Sequence, residues 1–166
     1  MNLRPATPAD ASSLAALSIE VWLGTYLRAG VSGVFADYAL ETFTAANLAR
    51  LIADPDQTLI VSQNVAGIDG YIRLDRAAPC PVDGGPVGEI ATLYVQPRHH
   101  GRGIGRALLA AGFGAAQVRD ALWLATNAEN APAIVFYRAQ GFDQIGETDF
   151  HLAGQGYRNV VLTKAC

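Results

Sequence analysis

Val95-Gln96-Pro97-Arg98-His99-His100-Gly101-Arg102-Gly103-Ile104-Gly105-Arg106-Ala107-Leu108-Leu109 changes its hydrophobic period halfway along, and that change decides the fold. Upstream, residues 89–95 read Glu-Ile-Ala-Thr-Leu-Tyr-Val, rich in β-branched and aromatic side chains and stopped by Pro97, which predicts a strand. Downstream, Ile104, Leu108, Ala111 and Ala115 fall three or four apart, which predicts a helix running to about Val118. Between the two, Gly101, Gly103 and Gly105 are interleaved with Arg98, Arg102 and Arg106. Glycines let backbone N–H groups crowd round an anion, and a helix start adds unpaired donors and the positive end of its dipole. The expected ligand is a phosphate or pyrophosphate.

Two phosphate loops are excluded at once. A Walker loop needs Gly-Lys-Ser/Thr at the helix start, where this chain has Gly105-Arg106-Ala107. A dinucleotide fingerprint, Gly-x-Gly-x-x-Gly, ends on Arg106 if counted from Gly101 and on Leu108 if counted from Gly103. A third pattern fits: Val-x-Pro, a basic link, Gly-x-Gly-Ile-Gly and a small-apolar helix resemble the pyrophosphate loop of the GNAT superfamily of acyl-CoA-dependent N-acetyltransferases. That family's pattern is Arg/Gln-x-x-Gly-x-Gly/Ala. Set by distance from Pro97, the match is His100-Gly101-Arg102-Gly103-Ile104-Gly105, with His100 where the family carries Arg or Gln. The letters are also satisfied two residues earlier, from Arg98 to Gly103. Taken without the resemblance, the stretch also reads as a solvated loop that happens to start a helix.

The rest of the chain sets bounds. At 166 residues, 51% of them apolar, it suits one domain spanning 1–166. A net charge of −3 argues against a nucleic-acid partner. No apolar run reaches the length of a membrane span and residues 1–5 lack a signal-peptide segment, so no membrane association is expected and the cytoplasm is the expected location. Cys80 and Cys166 make no disulfide framework, and nothing near Cys80 in sequence would activate it. His99, His100 and His151 lack metal-ligand spacing, so no metal is expected; His99 or His100 could instead touch phosphate.

Taken in order, residues 2–4 suit a short strand. Thr7-Pro8-Ala9-Asp10 reads as a capped helix start, with a helix to about Leu23 buried through Leu14, Leu17 and Val21. Residues 37–53 read as helix divided near 42–44, with Leu48, Leu51 and Ile52 inward. Strands follow at 58–63 and 68–75, then a long loop at 76–86 containing three prolines and adjacent glycines. After the strand at 89–95 and its glycine loop come a helix and a strand at 122–125, which a right-handed crossover makes parallel to the earlier one. Asn130 caps a helix with Pro132 in its first turn and Gly141 at its stop. Strands at 143–152 and 157–163, joined by a turn at 154–156, end the chain.

Asn130, Tyr137, Gly141 and Phe142 resemble the second GNAT signature, Asn followed seven residues later by Tyr and then by Gly-Phe. The resemblance implies an α/β (α+β) GNAT fold. Its mixed, mostly antiparallel sheet has six or seven strands, about four helices flank it, and parallel strands 4 and 5 splay apart. It implies that Leu93, Tyr94 and Val95 hold a pantetheine arm by backbone bonds, and that an N–H near Leu93 polarises the thioester carbonyl. The pyrophosphate would rest on Gly101, Arg102, Gly103, Ile104, Gly105 and Arg106, with His100 at the head of the motif.

The implied reaction moves the acetyl group of acetyl-CoA to a primary amine by direct attack. Tyr137 matches the family's general acid. Glu89 matches the acidic base of some members, acting through a water, and reads equally as a solvent-facing strand glutamate or one capping a loop. Asn130 reads as a helix cap whose amide could also hold pantetheine or a relay water. Tyr26 reads as a buried structural tyrosine or, alternatively, as one that lines the acceptor pocket, and Trp22 and Trp123 as core or interface residues. The acceptor is a small amine or a peptide amine, the acidic chain favouring a cationic one. Homodimer pairing through the C-terminal strands stays open. A non-catalytic acyl-CoA sensor and a ligand-free interaction module are the rival readings.

Overall fold

The computed structural model describes residues 1–27, 30–116 and 121–166. Strand β1 (Asn2–Pro5) leads through a short 3-10 turn (Pro8–Asp10) into α1 (Ala11–Tyr26), α2 (Gly33–Thr42) and α3 (Ala45–Ala53). Three strands follow, β2 (Gln57–Asn64), β3 (Gly67–Pro79) and β4 (Val87–Val95), then a second 3-10 turn (Pro97–His99) and α4 (Ile104–Ala115). The chain ends with β5 (Ala121–Asn127), α5 (Ala131–Ala139), β6 (Asp143–Leu152) and β7 (Gln155–Ala165). The strands form one seven-stranded sheet in the order β1-β2-β3-β4-β5-β7-β6. Every neighbouring pair is antiparallel except β4–β5. This is the α/β arrangement expected, with the region before β2 in three helices. No helix among the described residues is long and apolar enough to cross a membrane.

Alternation along each strand sorts the apolar side chains onto two faces. On the first, Ile72, Leu74, Ile90, Leu122, Leu124 and Leu162 pack under Ile104, Leu108 and Leu109 of α4 and Tyr137 of α5. On the second, Leu59, Val61 and Tyr71 pack under Leu14 and Leu17 of α1 and Leu48 of α3. Two glycines permit the closest approaches. A Cβ on Gly112 of α4 would meet Ile72 Cδ1 at 2.7 Å, and one on Gly70 of β3 would meet the Tyr94 carbonyl oxygen at 2.9 Å. The N-terminal turn is held by Asp10, whose carboxylate accepts from the Thr7 amide at 2.7 Å and pairs with Arg4 at 2.7 Å. Those bonds hold its pKa below the ordinary carboxylate range, the Arg4 hydrogen bond contributing most.

Several boundaries differ from the sequence reading. Helix α1 continues three residues past Leu23, and α2 starts at Gly33 rather than residue 37 because Phe35 finds aromatic partners on α1 and β7. The break between α2 and α3 falls at Phe43 and Thr44, where the Thr44 hydroxyl accepts from the Asn47 amide at 3.1 Å. Strand β3 runs on through Pro79, shortening the expected loop at its start. The ladder is already irregular between Asp75 and Pro79, so the missing prolyl N–H breaks no regular rung. The last hairpin turns at Ala153 and Gly154, both with positive φ, so β7 begins two residues before Tyr157. The expected helix end at Val118 lies outside the described residues; α4 is helical to Ala115.

Candidate active site

Among the described residues, the sheet has one place where neighbouring strands part. Strand β5 keeps register with β7 over seven residues from Ala121 to Asn127, but with β4 it shares only the pair Glu89↔Trp123. Beyond that pair, towards Val95, the two parallel strands diverge. The register of β4 on β3 passes from Arg73↔Thr92 to Leu74↔Ile90, skipping Ala91, and such a bulge bends its strand. The Tyr94 carbonyl lies towards Gly70, and the Gln96 amide donates to the Asp69 carbonyl at 2.9 Å. By alternation, the backbone groups of Leu93 and Val95 point the other way, into the gap.

The glycine loop stands at the mouth of that gap. The amides of His99 and His100 close a turn onto the carbonyls of Gln96 and Pro97, and the Ala107 amide opens the helical ladder on the Gly103 carbonyl. Between them, among the described residues, no N–H of residues 101–106 has a protein acceptor. Gly101 and Gly103 hold φ at 75° and 79°, the left-handed region in which glycine is unstrained. A Cβ on either would face open space. Gly105 backs onto α5, where a Cβ would sit 3.3 Å from Phe136 Cζ. The exposed Arg102 and Arg106 flank this run of bare donors.

His100 enters this arrangement differently from its neighbours. Its amide is used by Pro97, and its Nε2 lies 3.0 Å from the Val95 carbonyl, one of the gap-facing groups. The bare amides therefore begin at Gly101. His99 turns inward, with Nδ1 3.8 Å from the buried Asp69 carboxylate, and so props the turn beneath the loop instead of facing outward.

Tyr137 projects from α5 into the first-face core, edge-on to Phe136 and Phe142 with centroids 5.3 and 5.5 Å away. No described residue hydrogen-bonds its hydroxyl, and burial pushes its pKa well above that of a free phenol. Tyr94 is pushed up likewise, by burial first and then by the phenols of Tyr71, Tyr26, Tyr38 and Tyr137. Glu89 sits half-buried at the closed end of the gap. Burial raises its pKa, Arg73 opposes the shift and Asp75 adds to it. The Asn130 side chain accepts from the Ala133 amide at 3.3 Å, a helix cap. Trp123 donates its indole N–H to the Ala78 carbonyl at 3.2 Å, and Trp22 is buried among aromatic rings. Among the described residues no group of three or more His, Cys, Asp or Glu could hold a metal ion. The sequence reading missed the convergence of Tyr26, Phe35, Tyr38, Phe150 and Tyr157 on one side of the gap, because those residues span most of the chain.

This geometry has relatives. The chain is 32% identical over 150 residues to the aminoglycoside N(6')-acetyltransferase type 1 of Stenotrophomonas maltophilia, covering 86% of each protein. It is 27% identical to an uncharacterised N-acetyltransferase of Mycobacterium tuberculosis, over 93% of this chain and 97% of that one. Among solved structures, the PaiA N-acetyltransferase of Thermoplasma acidophilum, in complex with coenzyme A, shares the fold at TM-score 0.79 and 18% identity. The match covers 99% of this chain and 98% of that one. The family model of the Acetyltransferase (GNAT) family matches residues 22–142, taking in the splayed strands, the glycine loop and the Asn130 to Phe142 signature. The chain belongs to the GNAT acetyltransferase family and is an acyltransferase.

Proposed function

We propose that the protein transfers the acetyl group of acetyl-CoA to a primary amine by direct attack, without an acyl-enzyme. The observation that carries this reading is the pairing of one open sheet gap with one run of unpaired amides at its mouth. Six adjacent donors at a helix start suit a diphosphate, and Arg102 and Arg106 add charge. The gap-facing groups of Leu93 and Val95 suit an extended amide-bearing arm laid in as an added strand, with Tyr94 packed behind them. That the similar Thermoplasma protein was solved with coenzyme A supports the same ligand here.

Bound acetyl-CoA supplies an activated thioester; the protein supplies three things. The Leu93 N–H, fixed in the strand, faces the oxygen on which negative charge builds as the amine nitrogen bonds to the carbonyl carbon. Glu89, made more basic by burial, takes the proton that the attacking nitrogen must shed, through a water. Tyr137 gives its proton to the sulfur as the C–S bond breaks; burial keeps it protonated and therefore able to donate. Asn130 holds the first turn of α5 and so fixes where Tyr137 points.

Tyr137→Phe tests the assignment. It is expected to lower kcat by about 10²- to 10⁴-fold while leaving the affinity for coenzyme A unchanged, both measured with released thiol and calorimetry. Unchanged kcat would remove Tyr137 from the chemistry, and an acetylated protein trapped on the path would contradict direct attack.

A further inference from the structure

Aromatic rings outside both cores meet on the second face of the sheet, at the open end of the gap. Trp22 and Tyr26 of α1 lie 4.7 Å apart between centroids, and Trp22 stacks on Tyr38 of α2 at 4.8 Å. These helices are tied to the last hairpin by Tyr38–Phe150 at 5.5 Å, Phe35–Tyr157 at 5.6 Å and Tyr26–Phe150 at 6.0 Å. Only Trp22 is buried; the other five rings keep part of their surface open. The cluster is continuous with the proposed reaction centre. Tyr157 stands two residues from Asn159, which pairs in the sheet with Asn127, the last residue of β5.

Beside the rings lies an unanswered polar group. Asn159 of β7 stands opposite Asn127 and Thr148 in the sheet, and its Oδ1 is buried with no hydrogen-bond partner among the described residues. Leaving such an acceptor unpaired is unfavourable, so it is suited to a donor that arrives with a ligand. The charged neighbours on these strands turn away: Glu147, Asp149 and Arg158 alternate to the opposite face from Thr148, Phe150 and Tyr157, and Arg158 pairs with Glu147 at 3.6 Å. On α2, Asp37 and Glu41 are exposed while Phe35 and Tyr38 turn in. What the described residues offer a ligand is therefore ring faces, the hydroxyls of Tyr26, Tyr38 and Tyr157, and amide groups.

Resting on the acetyltransferase reading above, we propose that this cluster is the acceptor subsite and that the acceptor is a primary amine carried on an uncharged aromatic or bulky apolar body. A flat ring continues the existing stacks and buries its surface against them. Each extra ammonium of a polycation would instead lose hydration without a carboxylate to face it. The proposal thus separates this chain from the polyamine and aminoglycoside substrates that its acidic composition and its aminoglycoside-acetylating relative would suggest.

The test is binding, so that it stands apart from turnover. Calorimetric titration of the coenzyme A-saturated protein with 2-phenylethylamine, spermidine and kanamycin is expected to give a Kd for 2-phenylethylamine at least tenfold below the other two. Phe150→Ala on β6, and separately Tyr157→Ala on β7, are expected to weaken that binding at least tenfold with coenzyme A affinity unchanged. Tighter binding of either polycation, no binding of 2-phenylethylamine, or indifference to both substitutions overturns the subsite. Release of thiol from acetyl-CoA in the presence of each bound amine is read separately: its absence would count against the acetyl-transfer reading and leave the order of affinities intact.

Discussion

Gly103→Ala separates the cost of the loop's backbone shape from the use the loop makes of it. Gly103 holds φ at 79° immediately before α4, and a Cβ there would touch nothing within 4 Å. The substitution therefore introduces no clash, only the left-handed strain of an L-residue, about 1–2 kcal/mol. At this chain length each kcal/mol lowers Tm by about 2–4 °C. Gly154 in the β6–β7 turn has the same φ of 79° and the same open surroundings. Gly154→Ala is thus a matched control that should lose a similar amount of stability. The two variants should part company in ligand affinity. Relieving the strain at residue 103 rotates the adjoining peptides, and losing one charge-assisted N–H···O bond is worth about 1.5–3 kcal/mol. That corresponds to roughly a 10- to 150-fold rise in the Kd for coenzyme A. Thermal unfolding and calorimetry on both variants read the two effects. Equal coenzyme A affinity in the two would refute the amide-cradle argument, and an unstrained Gly103→Ala would refute the assigned backbone.

Other perturbations address the chemistry and the frame. Because burial raises the Glu89 pKa and the base must be ionised, kcat/KM should fall on the acid side through an apparent pKa above the ordinary glutamate range. Glu89→Gln should abolish that limb and cost about 10²-fold or more in rate; a wild-type profile without an acid limb would remove Glu89 as base. Gly70→Ala places a methyl 2.9 Å from the Tyr94 carbonyl and 3.2 Å from Ile104 Cγ2. The nearest obstacle is backbone, so thermal unfolding should show a loss of about 1–3 kcal/mol, and an unchanged Tm would show that β3 and β4 can separate freely.

Much of this architecture was legible because local signals agreed with tertiary context. The alternation in residues 89–95 and the period in residues 104–115 each describe an element that packs on one core, and Asn130, Pro132 and Gly141 act at α5 through short-range bonds and backbone torsion. Local reading failed where distant contacts decided. Proline in residues 79–86 argues against a strand, yet β3 reaches Pro79 because its ladder is already irregular there. Nothing near Phe35 in sequence draws helix back to Gly33; its partners are Trp22 and Tyr157. The motif named His100 as the head of the loop, but only the folded turn shows its imidazole on the Val95 carbonyl. The convergence of the aromatic rings was hidden for the same reason, since they come from α1, α2, β6 and β7.

The central claim is that the bare N–H groups of residues 101–106 receive a diphosphate while Leu93 and Val95 receive the arm beneath it. An amide-resolved NMR titration of the protein with coenzyme A tests this most directly. The account predicts that the largest shifts fall on Gly101, Gly103 and Gly105 and on the Leu93 and Val95 amides, with the Gly154 turn unmoved. Saturable binding that leaves the glycine amides in place and shifts residues elsewhere would contradict it.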